Sequence, residues 1–119
     1  MEKILNYTPH IVTGVGIWFL LNGILHDIFV LASDHGKKYD RDLLRLLMDG
    51  HVLIFSGIIM IISFNPIKEN NSFAYWTCLI LCIGMIVYCL MIWPFLKSLV
   101  TLTLSIAAAA LILLKLKQV

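Results

Sequence analysis

Apolar residues run almost unbroken through four stretches of the chain, with soft edges near residues 10–32, 42–64, 72–92 and 95–116. Each is long enough to cross the hydrocarbon core of a bilayer as an α-helix, which takes about 20 mostly apolar residues. The breaks between them carry helix punctuation. Ser33-Asp34-His35-Gly36-Lys37-Lys38 is a polar turn, and Asp40 or Asp42 is placed to cap the second helix. Asn65-Pro66 ends that helix, and Asn70-Asn71-Ser72 offers caps for the third. Trp93-Pro94 parts the third from the fourth, with Pro94 suited to a first helical turn. Such short loops predict that sequential helices lie adjacent and antiparallel. The expectation is an all-α integral membrane protein, a single domain over residues 1–119. Its four transmembrane helices form an up-down-up-down bundle with both termini on the same side.

Composition agrees with this layout. Of 119 residues, 61% are hydrophobic and 13% charged, about half the charge of an ordinary soluble domain. The net charge of +2 and the lack of a basic run interleaved with aromatics exclude a nucleic-acid binder. Three cysteines, an odd number at helix-interior positions, do not make a disulfide framework. The apolar run from Ile11 to Leu31 is too long for the core of a cleaved signal peptide and contains Asn22, His26 and Asp27, so it reads as a retained span. Lys37, Lys38, Arg41, Arg45 and Lys97 fall at one end of the helices, and Lys3, Lys68, Lys115 and Lys117 at the other. Because the two sets nearly balance, the positive-inside rule assigns no orientation. Tyr75, Trp76 and Trp93 sit where interfacial aromatics belong.

The few polar residues within the spans are ordered. At roughly 100° per residue, Trp18, Asn22, His26 and Ser33 share one stripe of the first helix, and Gly16, Gly23 and Asp27 the adjacent face. Arg45, Asp49, Ser56 and Ser63 align on the second helix, with His51 nearly opposite Asp49. The third aligns Cys78, Cys82, Met85 and Cys89, and the fourth Ser98, Thr101, Ser105 and Ala108. Counting rise per residue, His26, Asp49 and His51 reach a similar level, which Tyr88, Cys89, Ser98 and Thr101 approach from the other two helices. The chemistry gathers in one leaflet and leaves the other nearly bare.

A carboxylate inside a bilayer costs about 2.5 kcal/mol or more and normally faces the bundle interior. The expected function is therefore a polar intramembrane pocket for a small ligand, a lipid-like molecule, an ion or a proton. Asn22, His26 and Asp49 line it, and Trp18, Asp27 and His51 lie nearby. Each residue also has a purely structural reading. Asp49 can pair with Arg45, Asp27 can reach water at the helix end, and the histidines can serve as packing or interhelical hydrogen bonds. The cysteines read first as small buried hydrophobes. A second expectation is haem b held between His26 and His51 facing each other. A third is an accessory, homo-oligomeric or immunity-type membrane protein, associating through the small residues Gly14/Gly16, Gly50/Gly57 and Ala107–Ala110. No phosphate loop, H-E-x-x-H pair or serine elbow is present, so neither an enzyme class nor a metal site is read.

Overall fold

The computed structural model describes residues 2–94 and 96–118. A short α1 (Glu2–Asn6) leads into α2 (Thr8–Ala32), and a single 3-10 turn over Asp34–Lys37 joins α2 to α3 (Arg41–Ile62). A second short helix, α4 (Phe64–Lys68), precedes α5 (Ser72–Ile92), and the chain closes with α6 (Leu99–Leu116). Helices α2, α3, α5 and α6 are long and apolar enough to cross a membrane.

The punctuation works largely as its residue types require. Asp40 caps α3, its carboxylate accepting from the Leu43 N–H at 2.9 Å, and Asn71 caps α5 by accepting from the Phe73 N–H at 2.9 Å. Two expected boundaries move. Asn65-Pro66 does not end the second span: α3 stops earlier, at Ile62, where the Ser63 hydroxyl donates back to Ile59 O at 2.6 Å. Pro66 then sits in the first turn of α4, where its missing N–H is not needed. Pro94 likewise opens no helix; the linker stays irregular until α6 begins at Leu99. Residue 95, the expected start of that span, lies outside the described residues. Between α4 and α5 the chain reverses at Asn70, whose φ of 60° is a left-handed conformation that asparagine tolerates.

Packing is most extensive between α2 and α3 and next between α5 and α6. The two pairs join mainly where α2 meets α6, whereas α3 and α5 barely touch. Glycine sets the first pair. Gly16 faces Gly57 and Gly23 faces Gly50, so residue numbers rise along one helix as they fall along the other. A Cβ built on Gly16 would come within 2.9 Å of both Gly57 O and Met60 Cβ, and one on Gly57 within 2.7 Å of Leu20 N. The backbones are in contact, as only residues without a bulky side chain allow. Gly14 has nothing within 4 Å of its Cβ position and takes no part in this α2–α3 contact.

The interior is built from small and soft side chains: Cys78, Cys82, Met85 and Cys89 of α5 are 0–2% exposed, beside Ser105, Ala108 and Ile112 of α6 and Val12, Val15 and Phe19 of α2. The cysteine stripe is thus core packing. Tyr75, expected at an interface, is fully buried instead, its hydroxyl donating to Ile67 O at 3.0 Å. Meanwhile Leu21, Ile28, Phe29, Phe55, Ile62, Ile80, Leu90 and Met91 point outward and are more than half exposed. Large apolar groups so widely exposed are unlike the polar outer face of a water-soluble bundle.

Gly57→Ala is expected to force α2 and α3 apart and lower stability by about 1–3 kcal/mol, the range for overpacking. Gly14→Ala and Gly84→Ala, where the added methyl meets nothing, should be neutral or gain up to about 1 kcal/mol from helix propensity. Thermal unfolding in detergent compares them; equal shifts in Tm for the two classes would contradict close glycine packing.

Candidate functional site

The thin contact between α3 and α5 leaves a space at the end of the bundle nearest the 3-10 turn. Helix α5 ends at Ile92 and α6 begins at Leu99, so neither long helix runs through it. The result is a partly enclosed cavity of about 380 Å³. Helix α2 contributes Asn22 and His26, α3 Leu46, Asp49 and Leu53, and α5 Tyr88, Cys89 and Ile92; Leu96, Ser98 and Thr101 close it from the linker and α6. Hydrogen-bonding groups therefore converge from four helices and a loop onto a space whose other walls are apolar, the usual make-up of a small-molecule site. Tyr88 and Asp49 both line it, one from α5 and one from α3.

A network beside the cavity ties the helix pairs together. Thr101 Oγ1 accepts from the Trp18 indole N–H at 3.1 Å and from Asn22 Nδ2 at 3.2 Å. Both donors are on α2 and the acceptor is on α6. Trp18 thus stands outside the cavity, 40% exposed, and helps hold Asn22 in place.

Asp27 occupies a separate position on the α2–α3 seam. Its carboxylate lies against Gly50, where any side chain would strike it. Oδ1 is 3.5 Å from His26 Nδ1 and Oδ2 is 3.2 Å from His51 Nδ1. His51 Nδ1 is also 2.8 Å from Leu47 O. A carbonyl can only accept, so the hydrogen belongs on His51 Nδ1 and leaves Nε2 free. Asp27 thus sits between two imidazoles, one lining the cavity and one outside it.

The predicted residues therefore divide. Asn22, His26 and Asp49 line one cavity. Trp18 supports it through Thr101. Asp27 and His51 lie behind His26, and Asp27, with a side chain only 13% exposed, is not the water-reaching group expected near a helix end. His51 is outside the cavity, with a side chain 54% exposed. His26 and His51 share a carboxylate and do not face each other across an open space, so the pair does not fit bis-histidine ligation of haem. The alternative Arg45–Asp49 pair is not formed: among the described residues the ion pairs are His26–Asp27, Lys37–Asp34 and His51–Asp27. No metal-holding group of three or more ligating side chains occurs among the described residues.

Two features had escaped the pattern analysis. The apolar walls Leu46, Leu53, Ile92 and Leu96 look like any other lipid-facing residue in sequence. A shallower groove of about 510 Å³ also shares Asn22, His26 and Leu46 with the cavity and runs along α2 past Leu25, Phe29 and Val30 to Ser33 and His35. No family model, curated protein or solved structure matches this chain.

Thr101→Val deprives both the indole and the Asn22 amide of their acceptor. With interhelical hydrogen bonds in membranes averaging about 0.6 kcal/mol, a loss near 1 kcal/mol is expected, and Thr101→Ser should restore most of it; urea-free thermal melts in detergent distinguish the two. Gly50→Ala pushes a methyl into the Asp27 carboxylate, so Asp27→Ala should relieve part of that penalty. A double-variant cycle is expected to show a coupling of about 1 kcal/mol, and strict additivity would mean the two residues are not in contact.

Proposed function

We propose that the chain is an integral membrane protein with four spans alternating up and down, both ends on one side, and that its cavity binds a small amphipathic molecule. The outward large apolar side chains support the membrane placement, since no water-facing arrangement would bury them. The shared lining of one hollow by Asn6, Pro9 and Lys115 supports neighbouring ends.

The observation that carries the binding reading is the convergence of Asn22, His26, Asp49, Tyr88, Ser98 and Thr101 on a cavity of about 380 Å³, within the range of small-molecule sites. Polar groups placed inside a bilayer are expensive and mark function by default. The lining holds a carboxylate and an imidazole but no lysine or arginine. The head of the occupant is therefore a hydrogen-bond donor or a cation directed at Asp49, with Asn22 and Tyr88 as partners of either polarity. Its body lies on Leu46, Leu53, Ile92 and Leu96. The groove past Leu25 and Phe29 gives such a molecule a lateral route from the lipid, so it need not cross water. Through Asp27, His26 is linked to His51 outside the cavity.

Protein purified in mild detergent should retain a small molecule that organic extraction and mass spectrometry identify. Asp49→Ala and Asn22→Leu should lose it at unchanged helicity, while Asp34→Ala, on the exposed 3-10 turn, should keep it. Retention of the same compounds by all variants, or of none by the wild type reconstituted in native lipid extract, would remove the binding reading.

A further inference from the structure

At the opposite end of the helices from the cavity, α1, α2, α4, α5 and α6 enclose a second hollow of about 220 Å³. Its lining is mostly polar: Asn6, Lys68, Asn70 and Lys115, with Tyr75, Pro9 and Ile67 behind them. The rear wall is rigid. Tyr75 is fully buried, its hydroxyl donating to Ile67 O at 3.0 Å and lying 3.2 Å from the Asn70 side chain, and Asn70 itself is locked at φ 60°.

Lys68 and Lys115 stand in the last turns of α4 and α6, where each offsets the carbonyl end of its own helix. Lys68 and Lys115, from distant parts of the chain, both line this one hollow. Neither forms an ion pair among the described residues. An anion bound there would offset the repulsion between two like charges. At ~30 Å³ per water, the space corresponds to about seven waters, enough for a phosphate ester and not for acyl chains. The carboxamides of Asn6 and Asn70 add donors beside the lysines.

We propose that this hollow binds a phosphate group, and that the phosphate is the headgroup of an anionic phospholipid whose chains lie along the outer faces of the helices. The lysines sit at helix ends, which on the membrane-spanning reading above is the level of lipid phosphates, and basic pockets between spans take such headgroups. The inference rests on that placement and is independent of the ligand cavity.

The test is native mass spectrometry of the full chain released from neutral detergent and titrated separately with phosphatidylglycerol, phosphatidylcholine and inorganic phosphate. Phosphatidylglycerol should bind preferentially, and Lys68→Gln/Lys115→Gln should weaken it about ten- to thirtyfold, the effect of two surface lysines. Lys68→Arg/Lys115→Arg should retain binding and shows that the positions tolerate change. Lys37→Gln/Lys38→Gln, at the other end, should leave it unaltered. Lysine-dependent binding of inorganic phosphate with no preference for phosphatidylglycerol would keep the anion site and overturn the lipid assignment. If binding of neither phosphatidylglycerol nor inorganic phosphate depends on the two lysines, the site is overturned altogether. A chain that stays soluble without detergent would instead overturn the membrane reading.

Discussion

Everything in this structure depends on how closely the backbones of α2 and α3 approach. Gly16 against Gly57 and Gly23 against Gly50 leave no room for a Cβ at the crossing points. In lipid, where apolar burial gives little net drive between helices, such close van der Waals contact is a main source of association. It also fixes rotation. With its glycine face committed to α3, α2 must turn Trp18, Asn22 and His26 toward the α5–α6 pair. The same contact creates the place for Asp27, because Gly50 is what lets a carboxylate lie on the seam between the two helices.

The second pair answers with a different device. Helix α5 fills the centre with Cys78, Cys82, Met85 and Cys89, whose small or pliable side chains pack without large voids. Thr101 then joins the pairs by accepting from two donors on α2. Beyond Thr101 the pairs separate. The cavity exists because α6 starts late, α3 and α5 scarcely meet, and the Trp93–Ser98 linker borders the gap instead of bridging it. Its polarity follows from which residues the helix rotations direct there.

The molecule is thereby polar at two places for different reasons. At the 3-10 end, uncharged donors and acceptors surround one carboxylate and one imidazole in a cavity with apolar walls. At the other end, two lysines and two carboxamides line a smaller hollow beside a buried tyrosine. Between the two hollows lie Phe19, Met60, Cys82 and Ala108, each fully buried.

Much of this was legible in the residues. The spans followed from run length, the caps of α3 and α5 from Asp40 and Asn71, and the meeting of Asn22, His26 and Asp49 from helical phase and rise. That works because a helix is a rigid ruler: once the period is known, position in sequence gives both face and height. Even the placement of His51 away from Asp49 came from phase alone. What phase could not supply was distance between helices. Whether His26 meets His51 across a space or across Asp27 depends on how near Gly50 brings α3, and whether Lys68 meets Lys115 depends on folding at Ser63 and Asn70. Tyr75 moved from an expected interface to the core for the same reason, since Ile67 O lay within reach only after α4 formed. The sequence determined the rods, their faces and their levels; the tertiary structure alone decided which faces touch, because contact depends on the separation and crossing of helices, and these are set by long-range packing that no local pattern records.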